Sequence, residues 1–461
     1  MTIFFRERDV YTVEDIAKKM GISVEDAEKK IGVLCRYGIV KNNAVKSDFI
    51  ETDAETFELE NNPKESYYFN YVGAVAFDDC AFVCFPKYME ASEEQIDKLK
   101  TVVTAIRRYK SKEERLHQQD INEELLAYNK LGLCLRILYD YLENGLYLKD
   151  KDVLEINGEG EIEWDRTIED SFVYIKNSRP YYLDLYTRCV QNDDEEFIKK
   201  IHQCIVEECY NYLHKFGLNY LFDIPKIESF GLKRSSLGND ELLLHKIRVE
   251  QKNQFISHKQ FVLKLMYAYI NGKKGSKGER SLSLYGTTSL HVVWEKACGE
   301  IFNNQFDRKE IILEKPKWSY NGQSYELGDL IPDTLSEMEI KNERVLCILD
   351  GKYYTIVEQK KTLSGTPGVE DVVKQFIYHM ALRKYMKQKG IQRAFNAFLL
   401  PNLDDDSENI VLNGEIKYME FGNSMLSPVN LIFLKPDFVW NRYIQGRSAV
   451  ELLKKCTECA Q

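Results

Sequence analysis

The stretch IPDTLSEMEIKNERVLCILDGKYY, residues 331–354, decides how the C-terminal part of this chain folds. Its central segment VLCIL, residues 345–349, is a continuous apolar run of the kind that forms a central strand buried on both faces. The preceding segment LSEMEIK, residues 335–341, alternates polar and apolar side chains, which is typical of a strand. We therefore expect two neighbouring strands joined through residues 341–343.

Acidic residues stand at the outer ends of these two expected strands. Asp333 follows a proline just before the first strand, and Asp350 closes the second strand 17 residues later. That separation allows the chain to run out along one strand and back along the other, so both carboxylates would reach one point. An alternative stays open here, in which Asp350 and Gly351 simply form the turn of a hairpin.

Lys352 follows Asp350 by two residues, and side chains two apart lie on the same face of a strand. Two carboxylates beside an ammonium group suit a hard divalent cation with a water molecule held next to it. Charged groups at the end of a buried strand also need an explanation, because they are rarely buried unless they are paired or bind a metal. The sequence therefore predicts a metal site at this point.

Length and composition indicate a protein with more than one core. The chain has 461 residues, of which 44% are apolar, enough for two or three domains. It has no run of about 18 apolar residues, and its first segment, MTIFFRERDVYTVEDI, carries charges where a signal peptide would be apolar. The scattered cysteines suggest reduced thiols. We expect a cytoplasmic protein without a membrane segment.

The charge balance limits how the protein would contact DNA. A net charge of −10 argues against indiscriminate coating of DNA, because Lys and Arg side chains drive non-specific binding to phosphates. It does not exclude a nuclease, since a local basic surface or a basic partner can deliver DNA to a metal site. The sequence lacks the GxxxxGK[ST] spacing of a phosphate-binding loop. We therefore expect no nucleotide-driven motor within this chain.

Residues 10–41 predict a helix, a tight turn at Gly21, a second helix and a short strand, as in a winged helix-turn-helix domain. The functional interpretation is DNA recognition by the second helix. That helix carries Glu25, Asp26 and Glu28, an unfavourable charge pattern for the major groove. A role in protein interaction or in structure alone is an equal alternative.

Residues 46–280 are expected to form an α+β region that contacts a partner or DNA. A helix that begins with a Ser92 capping box ends in the basic stretch 107–115, which is either a solvated helix end or a DNA-backbone contact. Residues 153–164 predict a hairpin, and the basic loop 273–280 is either a DNA clamp or a flexible connector. Further helices are expected at residues 125–142, 194–216 and 242–270.

Four segments carry a family resemblance: YGTTSLHVVWEKACGEIF (285–302), IPD (331–333), ILDGKYY (348–354) and GTPGVEDVVKQFIYHMAL (365–382). In this order they resemble the LlaJI family of restriction endonucleases, relatives of McrC-type nuclease subunits in the PD-(D/E)XK superfamily. The resemblance implies a mixed α/β fold. We expect a winged helix-turn-helix at 1–45, an α+β region at 46–280, and at 281–461 a PD-(D/E)XK nuclease core with a central mixed sheet flanked by helices.

The resemblance also implies how a metal would be bound. Asp333, Asp350 and the carbonyl of Gly351 would hold Mg²⁺, or Mn²⁺ in its place. Glu295, in the segment VWEKACGEIF, matches the helix acid of this superfamily and would reach the ion directly or through water. Glu300 is the alternative helix acid, and it points away from Glu295 because five residues separate the two.

Two further residues complete the expected catalytic set. Lys352 would bind the attacking water or stabilise charge on the phosphorane oxygens. Gln375 would pack beside this lysine, according to the family pattern. A rival pair within the sequence is Glu358 and Lys360, which would replace Asp350 and Lys352 if Asp350 and Gly351 formed a turn.

The expected activity is hydrolysis of phosphodiesters in double-stranded DNA by a restriction-type subunit in anti-phage defence. The resemblance implies a McrB-like AAA+ GTPase as partner, and a homo-oligomer is a further expectation. The alternative from a different class is a catalytically inactive adaptor that binds DNA or a motor protein.

Overall fold

The computed structural model describes residues 3–43, 66–77, 80–116, 129–192, 197–272, 282–306, 313, 317–320, 323–326, 330–359, 362–404, 406–417 and 427–459. The chain forms two compact units. The first comprises Met1–Val75, Asp79–Gln119 and Tyr285–Gln461, and the second comprises Ala76–Asp78 and Asp120–Leu284. These units are defined by compactness alone, so the functional division at 1–45, 46–280 and 281–461 stays a prediction.

The N-terminal segment of the first unit has the predicted helix, turn, helix and strand. Helix α1 (Val13–Met20) ends at Gly21, whose φ of 66° reverses the chain, and helix α2 (Val24–Arg36) begins after the N-cap Ser23. The strands are β1 (Ile3–Arg6), β2 (Val10–Thr12), β3 (Val40–Asn42) and β4 (Ser66–Phe69), and the last three form an antiparallel sheet in the order β2, β4, β3. The winged-helix assignment stays a prediction.

Two apolar strands follow, β5 (Val72–Ala76) and β6 (Ala81–Phe85), both buried along their whole length. Helix α3 (Ile96–Leu116) comes after a 3₁₀ turn, Glu93–Gln95. The predicted capping box is wrong: the chain enters this helix through the 3₁₀ turn, and the Ser92 side chain makes no capping hydrogen bond. Within the basic stretch 107–115, the side chains from residue 110 onward lie outside the described residues.

The strands of the second unit are β7 (Asp150–Ile156), β8 (Glu161–Ile162), β9 (Val173–Lys176), β10 (Arg179–Tyr182) and β11 (Tyr186–Asn192). The predicted hairpin over residues 153–164 is wrong, because β7 and β8 both pair with β11 and not with each other. The physical reason is length, since β11 satisfies all seven residues of β7 whereas β8 has only two.

The described residues of this unit form helices α4 (Lys130–Asn144), α5 (Trp164–Asp170), α6 (Phe197–Lys215), α7 (Leu218–Leu221), α8 (Arg234–Leu237), α9 (Asp240–Asn253) and α10 (Ser257–Asn271). The helix predicted over 242–270 is broken into α9 and α10. Gln254 causes the break, because its side-chain oxygen accepts hydrogen bonds from the amides of Phe255 and Ile256. The predicted DNA clamp at 273–280 lies outside the described residues. Within the described ranges, none of the helices has the length and apolar character needed to cross a bilayer.

Strand β12 (Ser283–Thr287) completes a four-stranded sheet in the order β1, β6, β5, β12. After helix α11 (Leu290–Ile301), a short ribbon is formed by β13 (Lys317–Tyr320) and β14 (Gln323–Glu326). The predicted pair of strands then follows as β15 (Thr334–Ile340) and β16 (Glu343–Gly351). They are antiparallel and joined by Lys341 and Asn342, both with positive φ, as in a tight two-residue hairpin turn.

A five-stranded mixed sheet, in the order β15, β16, β19, β21, β20, is the frame of the C-terminal part. Its other strands are β19 (Arg393–Pro401), β20 (Ile410–Ile416) and β21 (Val429–Leu434). Strands β16, β19 and β21 are parallel, while β15 and β20 run antiparallel at the two edges. A separate ribbon consists of β17 (Val357–Gln359) and β18 (Thr362–Ser364). The mixed α/β fold is confirmed.

Helices cover both faces of this sheet. Leu346 and Ile348 of β16 pack with Leu382 and Met386 of helix α12 (Val369–Lys389). The opposite face of β16 meets α11, since the Cβ direction of Gly351 points at that helix. Two further helices, α13 (Pro436–Gln445) and α14 (Val450–Cys459), follow β21. Residues on β16 therefore alternate between α12 and α11.

Candidate functional site

The register of β15 and β16 brings Asp333 and Asp350 together. Thr334 pairs with Leu349 in the antiparallel ladder, so the next pair outward is Asp333 opposite Asp350. Residues directly opposite each other share a face of the sheet. The Asp350 carboxyl group lies close enough to Asp333 to raise the pKa of that residue. The predicted convergence of these acids is thus present in the structure.

Asp333 is held in place from both sides of the sheet edge. The Asn304 amide donates to the Asp333 carbonyl at 2.8 Å, and its oxygen accepts from the Leu335 amide at 3.0 Å. The Tyr378 hydroxyl, on α12, donates to the Ile331 carbonyl at 2.9 Å. Sequence reasoning missed Asn304, which lies in no recognisable motif and acts through the backbone.

Lys352 sits between two carboxylates. Its Nζ lies 3.2 Å from Asp350 Oδ2 and 3.2 Å from Asp371 Oδ1, and all three side chains are largely buried. Its backbone amide donates to the Leu399 carbonyl at 2.9 Å, which ties the lysine to β19. Sequence reasoning missed Asp371. The available signal was its place one helical turn before Gln375 in the segment GVEDVVKQF.

Glu295 approaches from the other face of the sheet, at Gly351. A Cβ on Gly351 would lie 3.0 Å from Glu295 Cα, closer than ordinary packing allows. Glycine is therefore needed here for close approach of α11 rather than for a turn. The alternative acid, Glu300, instead pairs with Arg108 at 3.3 Å. Of the two helix acids, Glu295 is the one that lies beside the Asp333 and Asp350 pair.

Gln375 lies on the α12 face but does not hydrogen-bond to Lys352. It is fully buried, and its main-chain carbonyl accepts from Asn396 Nδ2 at 3.1 Å. Its side-chain Nε2 and Oε1 have no hydrogen-bond partner among the described residues. A buried primary amide left unpaired is expensive, so a water or a ligand is expected to occupy this position.

The electrostatics follow from burial and from the crowding of acids. Burial raises the pKa of Asp333 to about 9, and the neighbouring Asp350 and Glu295 carboxylates add to the rise. Burial alone would lower the pKa of Lys352, but Asp350 and Asp371 more than offset this and raise it. At neutral pH the lysine is therefore charged, while Asp333 retains its proton in the absence of a cation.

The residues present fit a divalent cation. Asp350 Oδ1 is buried without a hydrogen-bond partner among the described residues, and the acidic side chain of Asp333 lies near it. In the described part of the chain, no three His, Cys, Asp or Glu side chains form a compact metal-binding group. Two carboxylates are nevertheless a usual donor set for Mg²⁺, whose other ligands are waters and substrate phosphates.

The rival acid Glu358 does not enter this site. Asp350 and Gly351 continue the parallel ladder opposite Phe398 and Leu399, so they are not a hairpin turn. Glu358 is exposed on the separate β17–β18 ribbon. Its partner Lys360 lies outside the described residues.

Two clefts meet at Glu295. One, of about 510 Å³, is lined by Lys352 and Asp371, and the other, of about 730 Å³, is lined by Asp333 and Pro332. Glu295 lines both clefts. The acid and lysine group thus borders both clefts.

Comparison with known proteins identifies the family. A model of the LlaJI restriction endonuclease family matches residues 71–437. The Type II restriction enzyme BsuMI component YdjA of Bacillus subtilis (strain 168) is 27% identical over 394 residues, which cover 82% of this chain and 81% of that protein.

Similarity to solved structures is weaker. A chain of the half-complex of Thermococcus gammatolerans McrB AAA+ hexamers with bound McrC matches 97% of this chain and 99% of its own length, with a TM-score of 0.38 and 14% identity. A chain of the McrBC complex of the same organism covers 58% of this chain and 79% of its own length, with a TM-score of 0.22 and 17% identity. These TM-scores do not establish a shared fold, whereas the family match spans most of the sequence. This chain belongs to the LlaJI restriction endonuclease family.

Proposed function

We propose that this protein is the nuclease subunit of a restriction system and hydrolyses DNA phosphodiesters with Mg²⁺ bound at Asp333 and Asp350. The observation that carries the proposal is the convergence of these two acids and Lys352 at the end of β16, in a family of restriction endonucleases. The PD-(D/E)XK assignment and the winged-helix assignment belong to the same proposal.

The residues of the site would have separate roles in binding Mg²⁺ and in stabilising charge on the phosphate. Asp333 and Asp350, with the Gly351 carbonyl, would hold Mg²⁺, and Glu295 would reach the ion directly or through water. When bound, Mg²⁺ would polarise the scissile phosphate and lower the pKa of a water at the site. Asp350 and Asp371 keep Lys352 charged, so its ammonium group would stabilise negative charge that develops on the phosphate oxygens.

Asp371 acts through Lys352 in this proposal. A lysine with a single carboxylate partner could swing toward solvent, whereas two partners at 3.2 Å fix its Nζ beside the acid pair. Asp371 is therefore a positioning residue, and it is also a counter-charge for the buried ammonium group.

The protein would act as one component of a larger assembly. Its Bacillus relative is itself described as a component of a type II restriction enzyme. The sequence has no phosphate-binding loop, so a nucleotide-driven step would require a partner. We propose a McrB-like AAA+ GTPase in this role, on the strength of the family resemblance.

A plasmid-nicking assay tests the proposal. Supercoiled DNA is incubated with the protein and Mg²⁺, alone and with a candidate GTPase and GTP. Wild-type protein should cleave, while Asp350→Ala and Lys352→Ala should each lose about 1,000-fold or more of the rate. Glu358→Gln is the matched control, since it removes the rival acid from the exposed ribbon, and it should cleave normally. Cleavage by Asp350→Ala at the wild-type rate would refute the site, and no cleavage under any condition would favour an adaptor.

A further inference from the structure

The N-terminal segment forms one wall of the cleft that leads away from Lys352. The cleft of about 510 Å³ is lined on one side by Glu295, Lys352 and Lys374, and on the other by Arg8 and Lys41. Residues before 71 lie outside the family match, so the family assignment says nothing about this wall.

The charge in this cleft is opposite to that of the whole chain. Its lining includes the basic residues Arg8, Lys41, Lys87, Lys352 and Lys374. The acidic residues of the lining are Glu7, Glu295 and Asp371. A basic excess beside the active site of a chain with a net charge of −10 indicates a local site for an anion.

Arg8 is held in a backbone conformation that its side chain does not favour. Its φ is 68°, in the left-handed region where glycine or asparagine is usual, and its amide donates to the Phe69 carbonyl at 2.9 Å. An arginine in this region costs roughly 1 kcal/mol or more. No described carboxylate lies within ion-pair distance of its guanidinium group. An arginine at a strained position, with no ion pair to a described carboxylate, points to a role for its side chain.

Tyr68 places Arg8 and Lys41 side by side. The Arg8 guanidinium stacks over the Tyr68 ring at 5.3 Å from its centroid. Lys41, on β3, is the direct register partner of Tyr68 on β4, so the two side chains share a face of the sheet. Two cations that both neighbour one tyrosine can contact neighbouring oxygens of a sugar-phosphate backbone.

The far side of the cleft adds features suited to the same ligand. Thr288, Ser289 and His291 bring the N-terminal end of α11 to the cleft, and the positive end of a helix dipole favours a phosphate. Lys374 is exposed in the first turns of α12, with no described carboxylate within ion-pair distance. The cleft is therefore basic on both walls.

We propose that Arg8 and Lys41 bind the DNA backbone at phosphates adjoining the scissile one. This inference rests on the proposed nuclease function. It adds the path by which the substrate strand would leave the active site. It also assigns the DNA contact of the N-terminal segment to Arg8, between β1 and β2, and to Lys41 on β3, and not to helix α2. The ligand is the phosphodiester backbone, read without base specificity.

Binding without cleavage tests the inference separately from catalysis. A fluorescent 30-base-pair duplex is titrated with the full chain carrying Asp350→Asn, in Ca²⁺, at several salt concentrations. Adding Arg8→Glu and Lys41→Glu should weaken binding about 10- to 100-fold, and the slope of log affinity against log salt should fall by about 2. The matched control, Lys29→Glu with Lys30→Glu, reverses two cations on α2 and should leave affinity and slope unchanged.

Each outcome decides between the two claims. Unchanged affinity in the Arg8 and Lys41 variant, or loss of binding only in the α2 variant, would overturn this inference and leave the nuclease proposal standing. Loss of binding together with a wild-type protein that never cleaves would overturn the nuclease proposal alone. A further variant, Arg8→Gly, tests whether misfolding causes the loss of binding. Glycine suits the positive φ at this position, so the variant should keep the wild-type thermal midpoint and still bind DNA more weakly.

Discussion

Two buried polar groups of this protein are built in opposite ways. In the second unit, Tyr147 donates its hydroxyl to Glu250 at 2.9 Å, Lys149 pairs with the same carboxylate at 2.9 Å, and the Tyr147 amide donates to His202 Nδ1 at 2.9 Å. In the first unit, the group around Asp350 leaves its Oδ1 and both side-chain polar atoms of Gln375 without partners among the described residues.

The difference separates a structural network from a candidate active site. A satisfied buried network rigidifies its surroundings and loses stability when any member is removed. A group with unpaired acceptors and adjacent carboxylates is destabilising until a ligand completes it. Mutations in the group around Asp350 should therefore raise stability and lower activity. Mutations in the network around Tyr147 should change stability alone.

Asp333→Asn should give the largest opposite changes in activity and stability. We expect cleavage to fall about 1,000-fold or more, because a metal-binding oxygen is lost. Without Mg²⁺ at pH 7, we expect unfolding to cost about 1–3 kcal/mol more than in wild type, because a buried carboxyl with a raised pKa is replaced by a neutral amide. Denaturant unfolding with and without Mg²⁺, beside a cleavage assay, checks both. A destabilised variant would contradict the comparison.

His202 should show the pH response of the satisfied network. Burial lowers the pKa of His202 to about 4, so the folded state keeps it neutral while the unfolded chain binds a proton below its ordinary pKa of 6.5. Its contribution is present above pH 6.5 and is lost as pH falls toward 4, by about 3 kcal/mol. His202→Asn keeps an acceptor near Nδ1 and should flatten this part of the stability curve between pH 7 and 4.5. An unchanged slope would show that other groups carry the acid sensitivity.

Gln375→Leu should raise stability by about 1 kcal/mol, since it removes two buried polar atoms without partners and keeps the backbone bond to Asn396. Cleavage should fall about tenfold if the amide serves the site. Ser336→Ala is the matched control, because Ser336 Oγ is also buried and unpaired in the described structure but lies on the opposite face of the sheet. Equal loss of cleavage in both variants would contradict a specific role for Gln375.

Gly351→Ala should lower the free energy of unfolding by about 1 kcal/mol, because the new methyl group would press on the backbone of α11 at Glu295. Cleavage should fall several-fold as the helix moves away from the acid pair. Gly368→Ala adds the same methyl group where nothing lies within 4 Å, and it should cleave like wild type. Thermal unfolding and single-turnover cleavage measure the two effects.

The sequence predicts what depends on local pattern. The apolar run 345–349, the alternation before it and the 17-residue separation of Asp333 and Asp350 are enough to predict that the two acids meet. The same holds for the N-terminal helices, whose caps and spacing are local. These are features in which neighbouring residues determine the backbone.

Features that depend on distant parts of the chain were not predicted. Asn304 contacts Asp333 across 29 residues, and β11 separates β7 from β8 because a longer strand competes for pairing. The contact of Asp371 with Lys352 could be predicted only by knowing how α12 lies on the sheet. The cleft wall at Arg8 and Lys41 required knowing that the first strands of the chain reach the site, which no periodicity reveals.

A hydrogen bond links the N-terminal segment to the end of β16: the Tyr353 hydroxyl donates to the buried carboxyl group of Glu7 at 3.0 Å. Tyr353 directly follows Lys352, so Glu7 anchors the backbone next to this lysine. A fragment that begins at residue 281 would expose this tyrosine and the buried aromatic surface around it. Truncation at this point is therefore expected to yield insoluble or misfolded fragments, whereas co-expression of the N-terminal segment in trans should restore their solubility.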